Sequence, residues 1–72
     1  MERIPISSSN IISAGYDPAS QTLELEFKEG VVWQYIGVPE NMWLEFLSAP
    51  SQGKYFNSQI RPIFGEMGFR VQ

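Results

Sequence analysis

Apolar and polar side chains alternate most regularly over residues 22–27, where two leucines and a phenylalanine alternate with a threonine and two glutamates. A period of two is typical of a strand with one apolar and one solvated face. Residues 11–16 precede a turn-forming run at 17–20, and residues 31–36 are rich in β-branched and aromatic side chains. Both segments indicate further strands. The first half of the chain therefore predicts a three-stranded antiparallel meander.

The loop between the second and third predicted strands decides which side chains face each other. If residues 28–30 form a three-residue loop, Leu25 lies opposite Trp33. Leu23 then lies opposite Tyr35, and both rings point into the core. A two-residue turn would shift the register by one position and place both rings on the face of the glutamates.

Backbone geometry favours the longer loop. A two-residue type I′ turn requires positive φ at Glu29 as well as at Gly30, and glutamate tolerates this poorly. A type I turn with only Gly30 left-handed carries no such penalty. We therefore expect the three-residue loop and a buried position for Trp33 and Tyr35, in preference to the alternative that these rings form a stacking platform for bases.

The period changes to a helical one after Pro39, a residue that suits the first turn of a helix. Trp43, Phe46 and Leu47 fall on one helical face, and the polar side chains between them lie away from it. Pro50 cannot continue the helix. The pattern therefore predicts a first helix that begins near Pro39 and ends before Pro50.

A second helix is predicted directly afterwards. Ser51 can cap its N-terminus, and Phe56 and Ile60 lie four residues apart on its apolar side. We expect Pro62 to end it. The tail, residues 67–71, alternates apolar and polar positions again, which indicates a short final extended segment.

Together these elements predict an α+β fold: a three-stranded antiparallel meander followed by two short helices packed on one face, with a short C-terminal extended segment. A chain of 72 residues leaves room for one domain and one core. Aromatic residues, 14% of the chain, fill a small core efficiently, because each ring can bury roughly 150–250 Å². A homo-oligomer would also compensate for a small core. The rings expected in the core are Tyr16, Phe27, Trp33, Tyr35, Trp43, Phe46 and Phe56.

The composition excludes several chemistries. The chain has no cysteine and no histidine, which removes zinc clusters, histidine-dependent nucleophiles and disulfide scaffolds. We expect no metal, no cofactor and no enzyme activity. No apolar run is long enough to span a membrane, and the first residues lack the features of a signal peptide. These features predict a cytoplasmic protein without a membrane partner.

Glu24 and Glu26 are a candidate carboxylate pair, because their α-carbons on one strand face would lie roughly 6.5–7 Å apart. Glycoside hydrolases use two carboxylates. Charged side chains on the solvated face of a sheet are the ordinary alternative, and it is the one we favour, since nothing in the sequence indicates a surrounding cleft.

The start of the second predicted helix is the candidate ligand site. A helix N-terminus offers free backbone N–H groups, and a glycine lets a ligand approach closely. A polar stripe opposite the apolar side of this helix could hold a phosphate, although the spacing is not that of a phosphate-binding loop. The candidate anion-binding residues are Ser51, Gly53, Lys54, Asn57 and Arg61.

Charge is distributed unevenly along the chain. The net charge is −3. Residues 1–36 hold five acidic and two basic side chains, whereas residues 54–72 hold three basic and one acidic. An acidic chain lacks the broad attraction to phosphate that general nucleic-acid binding requires. The acidity, small size and many rings favour a protein partner, and the alternative is RNA or a nucleotide bound along the stripe from Lys54 to Arg61.

Several short motifs resemble a known family in their order and spacing. They are Ser8-Ser9-Asn10-Ile11, Gly15-Tyr16-Asp17, the hairpin that ends in Gly30, an aromatic-x-Tyr at Trp33-Gln34-Tyr35, Val38-Pro39, and Ser51-x-Gly-x-Tyr-Phe-Asn57. Together these motifs resemble the KTSC domain over residues 7–64. This small module occurs at the C-terminus of some lysyl-tRNA synthetases and as a free-standing bacterial or phage protein. The resemblance implies RNA binding, which is proposed for the family from its synthetase context.

Overall fold

One antiparallel sheet of five strands packs against two helical segments in the computed structural model, which describes residues 1–72. The strands lie in the sheet in their order along the chain. They are β1 (Ile4–Pro5), β2 (Ile11–Asp17), β3 (Thr22–Phe27), β4 (Val32–Ile36) and β5 (Gly68–Arg70). The predicted meander forms the three central strands, but the sheet has five strands rather than three.

The two edge strands account for the difference. β1 pairs Ile4 with Ala14 and Pro5 with Ser13. Two residues are too few to display a period of two, so the sequence pattern could not reveal this strand. β5 pairs with β4 and is the extended C-terminal segment that the alternation at residues 67–71 predicted.

The hairpin between β3 and β4 has the predicted register. Leu25 lies opposite Trp33 and Leu23 opposite Tyr35, and the loop spans Lys28–Gly30. We expected only Gly30 to be left-handed in this loop. That prediction was wrong, because φ is 77° at Glu29 as well as at Gly30. A left-handed non-glycine residue costs roughly 1–2 kcal/mol, which the paired strands on either side can offset.

The first helix, α1 (Glu40–Ser48), follows Pro39 as predicted and ends before Pro50. Phe46 is fully buried, while Trp43 and Leu47 are half-buried against the core. The predicted apolar face of α1 therefore packs on the sheet.

The second helical segment is longer than predicted. It comprises α2 (Gln52–Tyr55), a π-helical turn (Phe56–Ile60) and α3 (Arg61–Phe64), which together form the C-terminal helix. The Oγ of Ser51 accepts a hydrogen bond from the backbone N–H of Lys54 at 3.4 Å, as expected of a cap.

Pro62 does not end the C-terminal helix, contrary to expectation. In a regular α-helix its ring would clash with the carbonyl four residues earlier. Here the N–H of Arg61 bonds to the carbonyl of Phe56, five residues back, so the turn before Pro62 is widened. A π-helical turn of this kind lets the helix pass through a proline.

The core lies between the inner face of the sheet and the two helical segments. Its centre contains Leu23 and Leu25 from β3, Phe46 from α1, and Ile60 from the C-terminal helix, all fully buried. The rings expected in the core divide into two groups: Tyr35, Phe46 and Phe56 are buried, whereas Tyr16, Phe27, Trp33 and Trp43 are half-buried and pack against the core.

Candidate functional site: an aromatic cleft beside a polar groove

A cleft of about 610 Å³ opens between the β3–β4 hairpin and the C-terminal helix. The C-terminal helix covers the hairpin end of the sheet only in part: Phe56 packs on Phe27 with ring centroids 5.5 Å apart, and Phe27 and Trp33 remain half-buried. We call this feature the aromatic cleft. It is lined by Asn10, Ile11, Phe27, Lys28, Glu29, Trp33, Tyr35, Gly53, Phe56, Asn57, Arg61 and Gly65.

Trp33 and Tyr35 occupy different depths in this cleft. Tyr35 is buried, with 6% of its surface exposed, whereas Trp33 is only half-buried. The expected core position of Trp33 is therefore only partly correct. The register turns its ring to the inner face, but the helix packs on Phe27 and Tyr35 through Phe56 and leaves the Trp33 ring as part of a cleft wall.

The ring of Tyr35 is held on several sides. It packs edge-to-face on Phe56 with ring centroids 5.4 Å apart, and it lies nearly parallel to Trp33 at 6.3 Å. Gly68 lies directly opposite on β5, and a Cβ there would come within 2.5 Å of the Tyr35 ring. Burial raises the pKa of the Tyr35 hydroxyl, and the positive charge of Arg61 partly opposes this rise.

Two cations line the aromatic cleft. Lys28 lies in the hairpin loop and Arg61 in the C-terminal helix, and Glu29 also lies at the rim. The single ion pair of the structure joins Arg3 to Glu24, so neither cleft cation is engaged in one. Their charges are therefore available to an anion in the cleft.

A second depression, the polar groove, adjoins the aromatic cleft. It has a volume of about 310 Å³ and no hydrophobic lining residue. The groove runs between the serine-rich segment before β2 and the start of the C-terminal helix, and its lining residues are Ser7, Ser8, Ser9, Asn10, Pro50, Ser51, Gln52, Gly53, Lys54 and Asn57. Asn10, Gly53 and Asn57 line both depressions, which therefore adjoin each other.

All five candidate anion-binding residues line this combined surface. Ser51 and Lys54 line the polar groove, Arg61 lines the aromatic cleft, and Gly53 and Asn57 line both. The helical stripe predicted from spacing is thus one wall of a concave surface.

The opposite wall of the site has no signature in the local sequence. Local patterns indicate only a turn at Asn10 and the serines before β2, and only a loop at Lys28. Their contribution depends on packing between segments that are distant along the chain, for which no local pattern is diagnostic. The sequence offered Trp33 as an alternative stacking platform for a base. Because its ring is only half-buried in the cleft, a base can still reach it.

Gly53 marks the boundary between the two depressions. A Cβ at this position would lie 3.1 Å from the Oγ of Ser8, which is tighter than ordinary van der Waals contact. The absence of a side chain therefore lets the C-terminal helix lie close to the serine-rich segment at the place where the two depressions meet.

Glu24 and Glu26 lie on the other face of the sheet, away from the cleft. The prediction that they lie on a solvated face is wrong for Glu24, which is 7% exposed. Its carboxylate accepts hydrogen bonds from Arg3 at 2.7 Å and from the Gln34 side chain at 2.8 Å. Ser13 donates to Glu26 at 2.8 Å. These partners make the pair part of a structural polar network.

Gly15 makes the burial of Glu24 possible. It lies opposite Glu24 on β2, and a Cβ there would come within 2.5 Å of the Glu2 carbonyl and 3.2 Å of the Arg3 side chain. The N-terminal segment can therefore lie directly over the sheet and bring Arg3 to Glu24.

The other tyrosines have partners within the chain. The Tyr16 hydroxyl donates to the Val38 carbonyl, and its ring stacks on Trp43 at 5.6 Å. The Tyr55 hydroxyl donates to Glu45 at 2.7 Å. Burial, this hydrogen bond and the negative charge of Glu45 raise the pKa of Tyr55 to about 12.

Acidic side chains nowhere gather in a group of three that could hold a metal ion. No helix is long and apolar enough to cross a membrane.

Comparison with known proteins shows the family. The family model of the KTSC domain matches residues 7–64. An uncharacterized protein from Stutzerimonas stutzeri (strain A1501) is 40% identical over 62 residues, which cover 86% of this chain and 87% of that protein. A lysine–tRNA ligase from Nostoc sp. (strain PCC 7120) is 43% identical over 49 residues, which cover 68% of this chain and 9% of the ligase.

A solved structure agrees with this result. The crystal structure of a KTSC domain protein from Yersinia pestis matches with a TM-score of 0.92 and 41% sequence identity, covering 99% of this chain and 97% of that one. The family match spans most of the chain, and the fold agrees over nearly its whole length. The chain is therefore a member of the KTSC domain family.

Proposed function

We propose that this KTSC domain is a non-catalytic binding module that holds a nucleotide, free or as part of single-stranded RNA, in the aromatic cleft and polar groove. The observation that carries the proposal is the half-buried ring of Trp33 in a cleft that also contains Lys28 and Arg61. Aromatic rings and cations in one groove are the elements with which proteins bind single-stranded nucleic acid.

The aromatic cleft supplies the contact for a base. A base stacked on an aromatic side chain contributes about 1–3 kcal/mol. The cleft volume of about 610 Å³ lies in the range of small-ligand sites, which is roughly 300–1,000 Å³. It suits one base with its sugar.

The polar groove supplies the contacts for a backbone. Lys54 offers an ammonium, and the serine hydroxyls and the Asn10 and Asn57 amides offer neutral donors. Because the groove adjoins the cleft at Gly53, a strand with its base on Trp33 can extend its phosphates past Gly53 towards Lys54.

The local charge of the combined surface differs from the net charge of −3, which by itself would disfavour binding to phosphate. Three of the five cations, Lys28, Lys54 and Arg61, line the combined surface, where Glu29 is the one acidic lining residue. Glu24 and Glu26 are on the opposite face of the sheet, and their carboxylates accept hydrogen bonds from side chains of the same chain. The binding surface is therefore locally basic on an acidic protein.

The lysine–tRNA ligase relatives support an RNA ligand, because an enzyme of that name acts on a tRNA. The aligned region is only 9% of the ligase from Nostoc, so the support concerns an accessory role for this domain.

The test is a titration of the protein with a short single-stranded RNA at two salt concentrations. Arg61→Ala removes a lining cation, and Gln59→Ala changes an exposed side chain of the same helix that lines neither depression. We expect Arg61→Ala to weaken binding and to reduce the slope of log affinity against log salt by about 0.7, whereas Gln59→Ala leaves both unchanged. Equal effects of the two variants would contradict the proposed surface.

A protein partner is the second candidate function. Met67, Phe69 and Val71 in and beside β5 are 56%, 46% and 44% exposed, which leaves apolar side chains at a sheet edge. Binding to a protein through this edge would depend little on salt and would be lost in Phe69→Ser rather than in Arg61→Ala.

A further inference from the structure

Tyr35 differs from the other two tyrosines in the state of its hydroxyl. Tyr16 and Tyr55 donate hydrogen bonds to Val38 and Glu45. The Tyr35 hydroxyl makes no hydrogen bond within the chain, although Tyr35 is only 6% exposed. The hydroxyl is therefore free to bond with water or with a bound molecule.

The hydroxyl belongs to a ring that lines the aromatic cleft, and it is close enough to Arg61, another lining residue, to feel its charge. No side-chain oxygen or nitrogen of the chain is both fully enclosed and without a partner, so the Tyr35 hydroxyl retains contact with the cleft space. Tyr35 also lines that cleft. A molecule in the cleft can therefore supply the partner that this hydroxyl lacks within the chain.

The ring cannot turn to satisfy its hydroxyl elsewhere. Phe56 and Trp33 pack on it, and the backbone of Gly68 lies against its edge. The orientation of the hydroxyl is thus fixed before any ligand arrives, which lowers the entropic cost of forming a hydrogen bond to it.

Arg61 gives this position a preference for anions. Its positive charge acts on the Tyr35 hydroxyl, and its guanidinium forms no ion pair within the chain. A guanidinium and a hydroxyl can both donate to the same oxyanion. Burial raises the pKa of Tyr35, so the hydroxyl keeps its proton and remains a donor at neutral pH.

We propose that the Tyr35 hydroxyl and the Arg61 guanidinium together bind a phosphate group of the nucleotide whose base stacks on Trp33. Tyr35 is then the residue that distinguishes a phosphorylated ligand from its unphosphorylated form. This inference rests on the proposed function for the nature of the ligand, but the phosphate site can be tested without a base.

The experiment compares Tyr35→Phe with the intact protein by titration calorimetry against adenosine monophosphate, adenosine, inorganic phosphate and a short single-stranded RNA. We expect the intact protein to bind the monophosphate more tightly than adenosine. Tyr35→Phe should lower the affinity for the monophosphate by about 10- to 100-fold, the value of a hydrogen bond to a charged group, and leave that for adenosine unchanged.

Two controls separate binding from folding. Tyr55→Phe removes a hydroxyl outside the cleft and should leave every affinity unchanged. Tyr35→Phe should unfold at the same urea concentration as the intact protein or a slightly higher one, because its hydroxyl has no partner in the chain. A structural role for the hydroxyl would instead lower that concentration.

The outcomes distinguish this inference from the proposed function. If RNA and the monophosphate bind equally well to Tyr35→Phe and to the intact protein, the phosphate site is wrong and the proposed function stands. If neither binds but inorganic phosphate binds and is lost in Tyr35→Phe, the phosphate site stands and the proposed function is wrong. Failure of the intact protein to bind any of the four probes overturns both.

Discussion

The ring of Tyr35 lies against Gly68, the residue directly opposite on the neighbouring strand, so closely that a Cβ on Gly68 would come within 2.5 Å of it. This contact joins the last strand to the floor of the aromatic cleft. The lack of a side chain at Gly68 thus fixes the position of the Tyr35 hydroxyl as well as the packing of β5.

Gly68→Ala should lower the free energy of unfolding by about 1–3 kcal/mol, because the added methyl must displace a packed ring. Gly65→Ala is the control: its Cβ would lie 3.5 Å from the Arg61 side chain, an ordinary contact. Urea denaturation of both variants checks the prediction. Equal midpoints would mean that Tyr35 adjusts without cost.

Gly53→Ala should weaken RNA binding without destabilising the protein. Alanine is favoured over glycine in a helix by about 1 kcal/mol. The new Cβ would lie 3.1 Å from the Oγ of Ser8, and rotation of the Ser8 side chain can relieve this close contact. The methyl would narrow the connection between the polar groove and the aromatic cleft. Parallel urea denaturation and RNA titration test this, with Gln59→Ala, on the exposed surface of the same helix, as the control. Unchanged RNA affinity in Gly53→Ala would argue against a ligand that spans both depressions.

Arg3→Met should lower the free energy of unfolding by about 1.5–3 kcal/mol, because it leaves the buried carboxylate of Glu24 without its charged partner. Arg70→Met, which changes an exposed arginine, should stay within about 0.5 kcal/mol of the intact protein. In the double variant Arg3→Met/Glu24→Gln, the loss should be partly recovered, since the uncompensated charge is gone. A double variant less stable than Arg3→Met would show that the unpaired charge is not the cause of the loss.

No hydrolytic activity should depend on Glu24 or Glu26. Both oxygens of Glu24 already accept hydrogen bonds from protein groups, and Glu26 is bonded to Ser13. The reason differs from the one that the sequence offered, which was exposure to solvent. Glycosidase assays of Glu26→Gln beside the intact protein check the expectation, and an activity lost in the folded variant would contradict it.

Stability should fall as the pH rises from about 10 towards 12. The pKa of Tyr55 in the folded protein is raised to about 12, whereas an unfolded tyrosine ionises near pH 10. The stability that protonated Tyr55 contributes is therefore complete below pH 10, and it is lost as the pH rises through the pKa of Tyr55 in the folded protein. Thermal melts across this range, with absorbance detection of tyrosinate, measure it. Glu45→Gln removes the negative charge next to Tyr55 and should move its ionisation to lower pH; an unchanged ionisation would show that Glu45 does not raise the pKa of Tyr55.

Local patterns were sufficient for the central part of the fold. The alternation over residues 22–27 indicated β3 and its apolar face, and the length of the loop at Lys28–Gly30 set the register that places Trp33 and Tyr35 on the inner face. Both features follow from the pleat of a strand, which depends only on neighbouring residues. The cap at Ser51 and the apolar face of α1 were predicted for the same reason.

Local patterns failed where distant segments compensate for an unfavourable local choice. Pro62 lies inside a helix because the preceding turn widens, and Glu29 is left-handed because paired strands fix both ends of its loop. Glu24 is buried because the two residues of β1 bring Arg3 over Gly15.

The sequence by itself determined the central meander, its register, the start of both helical segments and the polar stripe from Lys54 to Arg61. The tertiary structure alone decided that this stripe faces Asn10, Lys28 and the half-buried Trp33, and that the Tyr35 hydroxyl has no partner in the chain. The physical reason is that a strand or a helix is specified by contacts a few residues apart. A cleft instead depends on where a sheet and a helix stop covering each other, and that is set by the packing of the whole core.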